Sequence, residues 1–194
     1  MTDFWTQNPH WTSDWLSYMT RLDRRALVEI HTVVIHATEL PTLDMAREYA
    51  EVIHYPTSQT GNSGHFYIDR DGLIYCWVHP DYIAHHTRGF NQSSLGIELV
   101  HLGRYPDWLA SKRQSWDTPY PSAQIKALVG LLETLTSALP QLHHIAGHDE
   151  LDTSMVESSD DPSTQVRRKM DPGPTFPWSE VLARSQLVRL RPTS

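Results

Sequence analysis

"LVEIHTVVIHAT", residues 27–38, decides how the rest of the chain is read. The stretch is β-branched and nearly continuously apolar, the composition of a central strand buried on both faces. A strand's two-residue period sets Val34 and His36 on one face. His36 therefore ends the most hydrophobic strand of the protein, where a buried imidazole costs free energy unless it has a partner.

Upstream, residues 1–25 are rich in Trp and polar residues without a clean period and are read as an irregular arm packed over the domain. Downstream, "LDMAREYAEVIHY" (43–55) places Met45, Tyr49, Val52 and Ile53 at helical spacing. "GHFYIDRDGLIYCWV" (64–78) reads as two strands turning at Asp71–Gly72, and "SLGIELV" (94–100) as another strand. "SAQIKALVGLLETLTSAL" (122–139) sets Ile125, Leu128, Leu132, Leu135 and Leu139 on one stripe, with Ser122 as the N-cap. "WSEVLARSQLVRL" (178–190) supports a shorter terminal helix. Strands interleaved with helices over 194 residues predict one α/β or mixed-sheet domain, divided as arm 1–25 and main domain 26–194.

Composition narrows the partners. A net charge of −7 argues against a nucleic-acid surface, which needs clustered Lys and Arg. No apolar run approaches the roughly 20 residues that cross a bilayer, so no membrane insertion is expected. One cysteine excludes intrachain disulfides and Cys-rich zinc sites. The N-terminus has no basic start, apolar stretch or small-residue cleavage site, which points to the cytoplasm, with phage lysis or a dedicated secretion system as the other route. Nothing in the sequence specifies an oligomeric state.

Three polar residues stand where chemistry is expected: His36, His148 after the Gly147 turn, and Asp171 in "KMDPGP" (169–174). Pro172 pushes Asp171 toward an extended conformation, and in an extended stretch Lys169 shares its face. Two imidazoles and a carboxylate are the ligand set of an open tetrahedral zinc site, whose remaining position holds water with its pKa lowered to about 7. Singly, each has a plainer reading: a hydrogen-bonded core histidine, or a turn aspartate before proline. Glu98 adds to the case, because Leu95, Ile97 and Leu99 share one strand face and a carboxylate stands on the other. Burial would raise its pKa toward a general base's range; in an edge strand it would simply face water.

"VVIHAT", "SGHFYIDRDG", "AHHTRG", "SLGIELV", "IAGHDEL" and "KMDPGP", in this order, resemble the zinc-dependent N-acetylmuramoyl-L-alanine amidases. That group includes cytoplasmic anhydromuropeptide-recycling amidases, phage amidase-type lysozymes and peptidoglycan-recognition proteins. The resemblance implies a mixed central sheet flanked by helices, with zinc in a groove on one side. It also implies that His36, His148 and Asp171 are the ligands, Glu98 the base and Lys169 the oxyanion cation. The implied substrate is the lactyl–alanine amide of peptidoglycan or its muropeptides. Phage and animal relatives commonly place Cys where Asp171 stands, so the match is closest to the recycling enzymes. His65, His86 and Arg88 are candidates for lining the groove, although "HHTRG" replaces the family's Trp-His-Ala-Gly pattern.

Other readings start from other residues. Tyr105, Trp108 and Trp116 (in 104–121) could stack on sugars or pack inward. The segment 149–168 reads as a surface loop, either a wall of the groove or a solvated insertion. "GNSGH" (61–65), with His36 and Asp44 preceding Ser63, mimics a serine-protease order, but that fold is an all-β double barrel and this chain contains helices. A non-catalytic peptidoglycan-recognition protein is the sharper rival.

Overall fold

A computed structural model describes residues 4–190; residues 1–3 of the expected arm and 191–194 of the expected main domain lie outside the described residues. In chain order the elements are β1 (Thr12–Ser13), β2 (Thr32–Ala37), α1 (Leu43–Ala50), β3 (Phe66–Ile68), β4 (Ile74–Cys76), β5 (Ser94–Leu99), α2 (Ser122–Ala138), β6 (His144–Gly147), α3 (His148–Leu151), β7 (Met155–Glu157), β8 (Gln165–Arg167), α4 (Trp178–Arg184) and β9 (Val188–Arg189). Seven strands form one mixed sheet in the order β1-β4-β3-β5-β2-β6-β9, and β7 and β8 form a separate hairpin. Within the large sheet only β3 and β4 run antiparallel; the chain reverses between them at Asp71–Gly72, where Gly72 takes φ 93°.

β2 lies near the middle, paired in parallel with β5 and β6, and every residue of it is buried. Pleating divides its side chains. Val33, Ile35 and Ala37 join Leu95, Ile97 and Leu99 in a core closed by Ile125, Leu128, Leu132 and Leu135 of α2. Burying each such aliphatic side chain contributes about 1.5–3 kcal/mol. The opposite face carries His36 and a second core, in which Tyr67 and Trp77 meet Ala46 and Ala50 of α1 and Leu16, Tyr18 and Leu22 of the N-terminal stretch. No helix among the described residues is long and apolar enough to cross a membrane.

Several local expectations change. The stretch before residue 25 joins the domain directly: β1 extends the sheet beside β4, and Trp5 and Trp11 are buried in the first core. In α1 the large apolar side chains do not face inward. Tyr49, Val52 and Ile53 are exposed and the helix ends at Ala50; the residues it buries are Ala46 and Ala50, four apart on the face that joins the second core. Thr42, whose side chain accepts from the Met45 N–H at 3.2 Å, caps it. Ser122 does not cap α2; Pro121 holds the N-cap position in an extended conformation and Ser122 is the first helical residue. The segment expected as a loop between His148 and Asp171 contains α3 and the β7–β8 hairpin.

Candidate metal centre and active-site groove

Strand register assembles the site. His36 in β2 is paired with Glu98 in β5, and Glu98 with Tyr67 in β3, so the three lie in one row across the sheet. On the other side Ile35 pairs with Gly147, and His148 begins α3 one residue later. Asp171 is brought back by the chain after β8, where its carbonyl accepts from the Asp149 N–H at 2.8 Å. Residues 135 positions apart thereby meet: His36 Nδ1 and His148 Nδ1 each stand 3.0 Å from Asp171 Oδ2. Candidate ligand atoms of all three lie within 4.8 Å of one another, and all three residues are buried.

The electrostatics suit a metal cation. Burial, aided by His148, lowers His36 to about 4, so its imidazole is neutral at pH 7 and has a lone pair to offer. Burial works to raise Asp171, but the His148 and His36 rings outweigh it and hold the carboxyl well below its ordinary value. Asp171 Oδ1 is buried without a hydrogen-bond partner among the described residues, a cost that a bound cation would remove. The His36 Nε2 edge is steadied from behind by His86 Nδ1 at 3.1 Å and Thr87 Oγ1 at 3.3 Å. Gly96 makes room for this arrangement, since a Cβ there would lie 2.7 Å from the His86 ring.

These residues open onto a cavity of about 530 Å3 that Glu98, Lys169, Tyr67 and Trp108 also line. Glu98 Oε1 lies 3.9 Å from His36 Nδ1. Burial, reinforced by Asp171, pushes its carboxyl up to about 8. Lys169 makes no hydrogen bond or ion pair among the described residues, so its ammonium is available to the cavity.

The family profile described as N-acetylmuramoyl-L-alanine amidase matches residues 26–174, about three quarters of the chain. The chain belongs to the N-acetylmuramoyl-L-alanine amidase family. It is 32% identical over 91 residues to the N-acetylmuramoyl-L-alanine amidase AmiD of Escherichia coli (strain K12), a match covering 47% of this chain and 27% of that relative. The matched stretch thus spans about a quarter of the length of the curated relative. The fold is similar to AmiD in complex with the substrate anhydro-N-acetylmuramic acid-L-Ala-D-gamma-Glu-L-Lys, with TM-score 0.62 and 22% identity over 84% of this chain and 60% of that one. It is also similar to the N-acetylmuramoyl-L-alanine amidase LysC from Clostridium intestinale URNW, with TM-score 0.64 and 19% identity over 91% of this chain and 97% of that one.

Within this amidase framework His86 lines the cavity and Arg88 stands exposed at its rim. His65 does not line it. Its ring is fully buried beneath the groove, with Nδ1 accepting from the Gly96 N–H at 3.0 Å and Nε2 standing 2.8 Å from Arg25 Nη2 and 3.1 Å from the Tyr82 carbonyl. Its parity places it on the groove side, but Arg25, the Tyr82 carbonyl and the His86 ring, 5.6 Å away, surround it. Trp116 also turns inward and stacks on His101 at 5.3 Å, whereas Trp108, 37% exposed, faces the cavity. Leu109 and Arg168 join the lining but no residue of 149–167 does; the turn of the hairpin braces the lining loop from outside, where the Ser159 N–H donates to the Leu109 carbonyl at 2.9 Å.

Two lining residues, Glu39 and Arg104, had no sequence signal: their side chains meet across 65 positions. Tyr67 could have been found. Its place in the β3 row beside Glu98 follows from strand alternation once the pairing is known.

Proposed function

We propose that the protein is a zinc-dependent hydrolase of the amide between the lactyl group of N-acetylmuramic acid and L-alanine. The observation that carries this reading is the convergence of two buried imidazoles, a buried carboxylate with an unpartnered oxygen, Glu98 and an unpaired Lys169 on one cavity. Two His and one Asp, in a site open to a groove, are a donor set that zinc accepts and leaves with room for substrate. Zinc held by His36, His148 and Asp171 supplies Lewis acidity, polarising a carbonyl and making water a stronger nucleophile near neutral pH.

The other roles belong to the chain itself. Glu98 takes a proton from the attacking water; the water oxygen bonds to the lactyl carbonyl carbon, and the carbonyl oxygen gains negative charge. Lys169 can donate to that oxygen as the charge develops. The C–N bond then breaks, Glu98 returns its proton to the departing alanine nitrogen, and a lactyl carboxylate and a free amino terminus result. Burial raises the Glu98 carboxyl, and a zinc cation beside it would lower it again toward the ionised form, so the group could take the proton and then return it.

Retention of every group in this set favours catalysis over recognition alone. AmiD in complex with an anhydromuramyl peptide supports muropeptides as the substrate class. The test is mass spectrometry of products from soluble anhydromuropeptides and from intact sacculi, with and without a zinc chelator. Release of peptides beginning with alanine, abolished by chelation and restored by zinc, is expected. The faster substrate distinguishes recycling from wall lysis. Zinc bound without release from either substrate would transfer the protein to the recognition class.

A further inference from the structure

We propose that the buried Glu39–Arg104 pair is a positioning device that sets Lys169 and Asp171 against His36. The inference rests on the zinc reading of the site and concerns what holds that site together. Glu39 lies three residues beyond His36, past the end of β2, and takes φ 51°, a conformation rare for a residue with a side chain. Functional or structural constraints are the usual reason such a conformation persists. Here the side chain is turned back into a bidentate pair: Arg104 Nε and Nη2 donate to Oε1 and Oε2, each at 2.8 Å, and the Arg104 backbone N–H adds a third bond at 3.1 Å. Both residues are buried.

The remaining donors of the guanidinium reach the segment that carries the site. Nη1 donates to the Arg167 carbonyl at 2.9 Å and to Gln114 Oε1 at 3.4 Å, and Nη2 donates to the Arg168 carbonyl at 3.3 Å. Arg167 and Arg168 immediately precede Lys169, and Asp171 follows two residues later. Four of the five N–H groups of one planar fork therefore tie the end of the His36 strand to the stretch bearing Lys169 and the third candidate ligand, and the fifth is held by Gln114. Gly103 permits the close approach, since a Cβ there would lie 2.6 Å from Glu39 Cγ. On the groove side, Trp108 Nε1–H donates to the Glu39 carbonyl at 3.0 Å, so the same node fixes the indole that faces the cavity.

A lysine keeps the charge but not the fork, and a methionine keeps much of the length but neither. Arg104→Lys and Arg104→Met are expected to lower kcat at saturating zinc by roughly 10-fold or more, with KM within about twofold, and to weaken zinc binding in chelator competition by roughly 10-fold. Glu39→Gln turns one acceptor into a donor facing Nη2 and is expected to give about 5-fold losses in both. It carries the test if the Arg104 variants show no cooperative unfolding. A merely structural role would lower the melting temperature while leaving kcat and zinc affinity per folded molecule unchanged. Folded variants that keep both within twofold of wild type would overturn the proposal, as would recovery of both by lysine, because charge alone would then suffice. A wild type that binds no zinc removes the underlying site reading instead, so the two failures are distinguishable.

Discussion

Two buried charged clusters border the same groove and are built on opposite rules. In the Glu39–Arg104 node both carboxylate oxygens accept from the arginine and its fork is fully engaged. In the His36–His148–Asp171 cluster one carboxylate oxygen is unpartnered, and beside it stand an unpaired ammonium and a carboxyl pushed up to about 8. The first cluster has spent its bonding on holding three chain segments; the second has kept capacity for groups from outside. Full satisfaction rigidifies a buried network, while unsatisfied groups persist where function requires them. Substitutions in the open cluster should therefore remove activity without loss of fold.

The contrast sharpens most with Asp171→Ala. Losing the buried anion should abolish stoichiometric zinc and reduce amide hydrolysis by roughly 10⁴-fold, several kcal/mol of lost transition-state stabilisation. Elemental analysis and product mass spectrometry read the two effects; a variant with wild-type zinc content would break the ligand assignment. Next comes Glu98→Gln, expected to cost about 10³-fold in kcat with zinc content unchanged, as for loss of a general base. Lys169→Met should cost about 10²-fold in kcat and little in KM, since its cation acts where charge develops. An equal rise in KM with kcat preserved would instead make Lys169 a substrate-binding residue.

The smallest effect concerns stability with the metal removed. Glu98 sits at about 8 in the folded protein against an ordinary value of 4.5. Below pH 4.5 it is protonated in both states and imposes no penalty. As pH rises toward 8 the unfolded chain releases its proton while the folded chain retains it, so this group favours unfolding progressively across that window. Glutamine does not titrate. Chelator-treated Glu98→Gln should therefore gain stability over wild type as pH rises from 4.5 to 8, reaching about 1–2 kcal/mol in urea melts. A difference independent of pH would show that Glu98 carries no such burden.

Legibility in the sequence followed the range of the interactions. The α2 stripe and the β2 run were readable because each pattern repeats within one element, and Glu98 stood out as a carboxylate in an apolar strand. Tyr49 and Val52 misled because helical spacing identifies a stripe without saying whether it or the small-residue face of Ala46 and Ala50 enters the core. His65 could not be distinguished from a groove residue, since its burial depends on Arg25 and Tyr82 arriving from other segments.

The sequence by itself determined the periodicities, the mixed α/β class, the family motifs and the residue types able to hold a metal. Tertiary structure alone decided which polar groups are saturated and which are left open. Sequence records which donors and acceptors exist; only folding, by bringing residues 39, 104 and 167 or 36, 148 and 171 within bonding distance, decides which of them are used up.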